Sequence, residues 1–177
     1  MKKFLLVTIL GLFMLSAGMV STTFAKEAVK VGVVDLLRAL NESETGKKAK
    51  TELESLIKSK QSPIEEKYKR IESLRADLEK QAAILSADAR KARTEEIGRL
   101  ERDFQRLIAD SQAEVQKKQM ELENKILKDL RNVINAIAQE GKYSLIIERA
   151  DGLVLYADKS IDITDAVIKK YNESKVK

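Results

Sequence analysis

From Gly46 to Glu140 the chain carries apolar residues at helical spacing for roughly ninety-five residues, interrupted by one proline (Pro63) and one glycine (Gly98). Ile57, Ile64, Ile71, Leu78 and Leu85 recur every seven residues, with Leu53 and Leu74 in the partner row. That is a heptad seam. Lys60, Lys67 and Gln81 take other partner-row places, so the seam is partly polar. It predicts a two-helix hairpin rather than a tight multi-stranded coil. The second arm runs through Ile97, Leu100, Phe104, Ile108, Val115, Leu122, Ile126, Leu130, Val133 and Ile137. Its spacing drifts between threes and fours, as a nearly straight helix requires. Ser86 is the candidate cap for this arm, which puts the tip near 86–93. No glycine or proline enforces the turn, so one unbroken helix is the competing reading. Pro63 lacks an amide hydrogen and is expected to kink the outgoing arm and act as its hinge. Gly141 follows the last periodic residue and is expected to close the helix in a left-handed cap. At about 1.5 Å per residue, Lys47–Leu85 spans about 58 Å and Ala87–Glu140 about 80 Å. The surplus of the return arm, about Ile126 to Ala138, is apolar on more than one face and is expected to be buried in a body.

The flanks have a different period. Val29, Val31 and Val33 alternate with Lys30 and Gly32, which predicts a strand. Asp35 then caps a short helix through Leu40, with Leu36, Leu37 and Leu40 on one face, before a polar break at 41–46. Tyr143–Glu148 and Leu153–Ala157 are β-rich runs joined through Ala150-Asp151-Gly152, which predicts a hairpin. Thr164 is the expected cap of a last helix, from Asp165 to about Glu173. The chain thus divides into a helical-hairpin arm, 47–140, and a β-rich body from 26–46 plus 141–177. A body that small is marginal alone, and three strands leave two open edges. Closing those edges against copies of itself gives a cyclic oligomer around a shared barrel, with Val31, Val33, Leu145, Ile147, Leu153 and Leu155 as its core. The expected fold is therefore α+β, mostly α. Each subunit adds one long antiparallel helical hairpin, a coiled-coil tentacle, to a small oligomeric β-barrel body. Residue spacing does not choose between two, three or four copies.

Composition narrows the chemistry. Met1–Ala25 has the form of a cleaved secretory signal: Lys2 and Lys3, an apolar run from Phe4 to Val20, and small residues at Thr23 and Ala25. An uncleaved N-terminal anchor is the alternative. The chain has no cysteine and no histidine, which removes disulfides, thiol chemistry and the commonest general base and metal ligand. Its net charge of +5 falls to +3 once the two leader lysines are removed. The sequence pI is about 9.2. That balance lacks the dense basic patch of a nucleic-acid binder, and export argues against a nucleic-acid partner. Asp35, Glu148, Asp151, Asp158, Asp162 and Asp165 cluster in the body but stand where caps and turns need them. No phosphate loop is present. No catalytic residue, metal or cofactor is expected, and the chain does not read as an enzyme.

Three segments carry a family resemblance. Val31-Gly32-Val33-Val34-Asp35-Leu36-Leu37-Arg38-Ala39-Leu40, continuing through Asn41-Glu42-Ser43-Glu44-Thr45-Gly46-Lys47-Lys48-Ala49, resembles the start of the mature Skp/OmpH family of periplasmic chaperones. Gly141-Lys142-Tyr143-Ser144-Leu145-Ile146-Ile147-Glu148 and Ile161-Asp162-Ile163-Thr164-Asp165-Ala166-Val167-Ile168 resemble its end. The resemblance covers the whole mature chain in order. It implies a homotrimer with a β-barrel body and three tentacles around a cavity. It also implies an ATP-independent periplasmic holdase that binds unfolded outer-membrane proteins and prevents their aggregation. Members associate with lipopolysaccharide and anionic membranes, but the basic positions here do not match a lipopolysaccharide motif residue by residue. A structural envelope spacer or adaptor is the alternative function.

A holdase needs walls that bind weakly at many points rather than a reaction centre. From Lys47 to Glu140 the arms carry 21 basic and 18 acidic residues, a mixed surface with a slight positive bias. Arg90, Lys91 and Arg93 form its sharpest cluster and are the candidate contact for anionic lipid or lipopolysaccharide. Solubility charges beside Glu95 and Glu96 are the alternative. Tyr68 and Met120 fall off the apolar stripes and are the candidate client contacts. Phe104 fits the seam and is expected in the hairpin core.

Overall fold

The computed structural model describes residues 29–150 and 152–175, so the expected leader lies outside the described residues. The elements are β1 (Val31–Val34), α1 (Leu36–Glu42), α2 (Glu44–Gln81), α3 (Ala87–Glu140), β2 (Leu145–Glu148), a 3-10 turn (Lys159–Ile161) and α4 (Thr164–Lys175). Asp35 caps α1, its carboxylate accepting from the Arg38 amide at 2.8 Å. Ser43 then serves two helices. Its own amide donates to the Ala39 carbonyl, and its hydroxyl accepts from the Gly46 amide at 3.1 Å. The expected break at 41–46 is therefore a corner with no loop. A Cβ on Gly46 would lie 1.7 Å from the Leu40 carbonyl oxygen, so only glycine fits there.

α2 and α3 form the arm. α2 has 38 residues and α3 has 54. Gln81 ends α2 four residues before Leu85, and the Gln81 carbonyl accepts from the Ile84 and Leu85 amides at 3.0 Å. Ser86 caps α3 by accepting from the Ala89 amide at 3.2 Å. The single-helix reading falls and Ser86 caps α3 as expected, but the turn is 82–86, earlier than the expected tip at 86–93, whose residues 87–93 already belong to α3. Ion pairs Glu52–Lys118, Lys60–Glu114 and Arg75–Glu101 cross between the helices in antiparallel order. The apolar seam is discontinuous. Near the tip Ile71, Leu74 and Ile97 are buried, with Leu78, Leu100 and Phe104 packed on them. Between that cluster and Leu122, Ser111 is the one buried residue described, and Ile57 is 38% exposed.

The second core lies at the other end. Val34, Ala39, Ile126, Leu130, Val133, Ile163, Val167 and Tyr171 bury together, drawn from β1, α1, the end of α3 and α4. The apolar surplus of the return arm is thus inside the body, as its pattern requires. α4 latches the base of the hairpin. Lys170 pairs with Glu140, Lys175 with Asp129 at 2.5 Å, and the Asn172 side-chain carbonyl accepts from the Glu44 amide at 3.0 Å.

Several expectations are corrected in the body. Thr164 does not cap α4. Its hydroxyl accepts from the Asp35 amide at 2.9 Å and ties α4 to the β1–α1 junction, while Asp162 accepts from the Thr164 amide. Gly141 has φ −86°, and Lys142 at φ 52° takes the left-handed position. Glycine is needed at 141 for another reason: an added Cβ would lie 2.6 Å from the Tyr143 ring. Leu37 is 71% exposed rather than sharing an inward face with Leu36 and Leu40. The sheet within one protomer has two strands, β1 and β2, paired in parallel from Val31↔Leu145 to Val34↔Glu148. Parallel pairing follows because the whole arm intervenes between them. Leu153–Ala157 is not a strand. β1's other edge is occupied by Asp162, and the Ile163 amide donates to the Val33 carbonyl at 2.9 Å. The Leu153 and Val154 amides instead donate back to the Ala150 carbonyl, so the chain coils there rather than returning along the free edge of β2.

Gly46→Ala is expected to lower stability by about 2 kcal/mol or more, because the corner has to open around the new methyl. Urea denaturation measures it. An unchanged midpoint at unchanged slope would show that the corner relaxes freely.

Candidate functional site

Tyr68 is 53% exposed and Met120 50% exposed, on opposite arms, as their positions off the stripes require. Phe104 is half-buried on the seam and meets Tyr68, ring centroids 6.2 Å apart and tilted by 38°. That pairing depends on the register of the two arms and has no signal in either arm's own pattern. Pro63 is exposed within an unbroken α2, beside the polar middle of the seam. At the tip Ile84 is 83% exposed, a feature the heptad pattern did not single out.

Arg90, Lys91 and Arg93 are all exposed, but they are not equivalent. The Arg90 guanidinium donates back to the Ala82 carbonyl and closes the tip turn. Lys91 and Arg93 take part in no ion pair among the described residues, so their charges face water. Arg75 is occupied differently. Hydrogen bonds from Arg75 to Glu101 and then Glu72 hold its guanidinium pKa above the ordinary value.

The body presents an apolar rim. Val33 is buried within its own chain, and Val31 and Ile147 are half-buried. Leu145 is 52%, Leu153 68% and Leu155 94% exposed, and Tyr156 beside them is equally open. Among the body carboxylates Asp35, Asp158, Asp162 and Asp165 are committed to local structure, and Asp151 lies outside the described residues. Asp158 is held below the usual carboxylate range by hydrogen bonds from the Ser160 hydroxyl and amide. For Asp162, burial pushes upward, but bonds from Thr164 and the Arg149 charge outweigh it and keep the group low. Carboxylates held ionised in this way suit caps rather than general acids. Among the described residues, no group of three or more acidic, histidine or cysteine side chains is placed to hold a metal. No described helix is long and apolar enough to cross a membrane.

The geometry defines a class: a small body that anchors one charged helical hairpin and leaves its far end free. Comparison with known proteins gives the same answer. Residues 30–171 match the family model for outer membrane protein (OmpH-like), and the chain belongs to that family. The chain is 28% identical to the chaperone protein Skp of Yersinia enterocolitica over 170 residues, covering 96% of this chain and 99% of that one. It is 28% identical to a Skp-like protein of Chlamydia muridarum, covering 98% of each. An Aquifex aeolicus protein without an assigned role is 32% identical, over 79% of this chain and 84% of that one. The fold matches a solved OmpH-like chain from Caulobacter crescentus with a TM-score of 0.76 at 20% identity, covering 82% of this chain and 85% of that one. The family is one of chaperones rather than enzymes.

Replacing Arg90, Lys91 and Arg93 together by glutamate is expected to weaken binding to anionic lipid vesicles severalfold at low salt. Vesicle co-sedimentation measures it. Binding equal to that of the parent chain would remove the tip as a lipid contact.

Proposed function

We infer that this protein is an ATP-independent periplasmic holdase for unfolded outer-membrane β-barrel proteins. The observation that carries the reading is mechanical. A long hairpin is fixed at one end by a dense core and carries exposed Tyr68, Met120 and Ile84 among charges of both signs. Such walls bind an unfolded chain at many weak points and release it without a fuel. The open middle of the seam, beside Pro63, supports a hinge there. The similarity to a Yersinia chaperone over nearly the full length of both chains supports the client class. On this reading a cleaved Met1–Ala25 leader exports the protein to the periplasm.

The holdase acts as a homotrimer with a shared β-barrel body. Support comes from Leu145, on β2 with its unpaired edge, and from Leu153 and Leu155, all three open to water within one chain. Burying a leucine side chain contributes about 2 kcal/mol, so several of them from each copy stabilise association strongly. The Arg90, Lys91 and Arg93 tip is proposed as a contact for anionic lipid or lipopolysaccharide.

Light scattering of a urea-denatured outer-membrane barrel protein, diluted in the presence of the trimer, tests the function. Equimolar trimer is expected to suppress the scattering; unchanged aggregation contradicts the holdase. Leu155→Asp is expected to give monomers in sedimentation velocity with helical content intact, because this exposed side chain is open to water in its own chain. A trimer that survives the substitution contradicts the shared body.

A further inference from the structure

Gly98 is the one glycine within α3, and a glycine inside a helix costs about 1 kcal/mol relative to alanine. At Gly46 and Gly141 close neighbours demand it. At Gly98 none does. The nearest atom to an added Cβ is Arg102 Nη1 at 3.7 Å, the far end of a flexible side chain. The missing side chain instead leaves an open groove of about 610 Å³ on the distal half of the arm. Ile71 contributes its apolar floor, and the tilted pair Tyr68 and Phe104 stands along it. Its volume falls in the range of about 300–1,000 Å³ that ligand sites occupy.

The rim is charged in a particular way. Arg75 bonds both Glu72 and Glu101, which leaves one net negative charge among the three on that side of the groove. Arg102, also on the rim, takes part in no ion pair among the described residues. Arg99 and Arg106, three residues before it and four after, lie on the same outer face of α3, exposed and equally unpaired. Glu95 and Asp103 stand within a turn of Arg99, yet neither forms an ion pair with it. An apolar groove with an aromatic wall therefore runs beside a rail of three free guanidinium groups.

We propose that this groove docks an aromatic side chain of an extended, unfolded polypeptide segment, with acidic side chains of the same segment seated on Arg99, Arg102 and Arg106. The inference rests on the holdase reading and names where on the arm, and to what kind of segment, the grip is made. In an extended segment, side chains two apart share a face at about 6.6 Å, close to the helical turn of about 5.4 Å that separates the guanidinium groups. A carboxylate two residues from the aromatic thus reaches the rail while the ring enters the groove. Guanidinium groups pair with carboxylates in forked geometry and stack on aromatic faces, so the rail suits both parts of such a segment.

The test uses the full chain and fluorescence anisotropy with unstructured peptides. One peptide carries a phenylalanine with aspartates two residues to either side; in the second the phenylalanine is serine. Gly98→Leu fills the groove and improves helix propensity, so its thermal midpoint is expected to hold or rise. It is expected to weaken the phenylalanine peptide about tenfold, the effect of losing one buried ring, and to leave the serine peptide unchanged. Arg102→Ala is expected to weaken the phenylalanine peptide and reduce its salt dependence. Gly98→Leu binding that peptide as tightly as the parent chain would overturn the groove. So would equal parental affinity for the two peptides, which would show an anion rail only. A parent chain that leaves client aggregation unchanged overturns the holdase reading itself. A parent that suppresses aggregation, with Gly98→Leu indistinguishable from it on peptide, overturns the groove alone.

Discussion

The rest of the structure depends on one packing event: the end of α3 meets α1, α4 and β1 around Leu130, Val167 and Tyr171, all fully buried. β1 and α1 lie more than a hundred residues before α4, and burying them together with the end of α3 joins these distant segments. Every such side chain removed from water contributes about 2 kcal/mol. The cross-ties of α4, Lys170 to Glu140 and Asn172 to Glu44, fix the hairpin base in the same stroke. Once the base is fixed, the arm needs only enough seam to stay paired.

That division explains why the arm is closely packed at its two ends and more open between, where Ile57, Ile64, Ile108 and Val115 meet among polar residues. The body core and the Ile71–Leu74–Ile97 cluster bracket a middle held by ion pairs such as Lys60–Glu114. Exposed pairs of this kind contribute little, about 0–1 kcal/mol each. Pro63 sits in that middle, removing one helical donor, and is where the proposed hinge would lie. In the proposed holdase, weak, distributed contact and a compliant arm would follow from the same choice of residues.

Much of this was legible in the sequence where one helix's own period decides the outcome. The sevens of Ile64, Ile71 and Leu78, the cap at Ser86 and the double-faced apolar run from Ile126 all act within one element. The unread parts depend on what lies across from a residue. Thr164 looks like a cap, but its hydroxyl is taken by Asp35, 129 positions away. Gly141 looks like a left-handed stop, but what it accommodates is the Tyr143 ring. Leu153–Ala157 has the composition of a strand, yet the Leu153 and Val154 amides turn back onto the Ala150 carbonyl and the segment does not pair with β2. Tyr68 was legible as exposed, while the groove it forms with Phe104 and Gly98 exists only once the register of two arms is set.

Hydrogen exchange along the native chain tests the central claim most directly. If stability is concentrated where the chain ends are joined, amides of α3 around Leu130 and of α4 around Val167 will exchange slowest. Those around Ile71 and Ile97 will follow, and those near Pro63 and Ser111 will be fastest within the helices. Uniform protection from the body to the tip would contradict a rigid base carrying a graded, yielding arm.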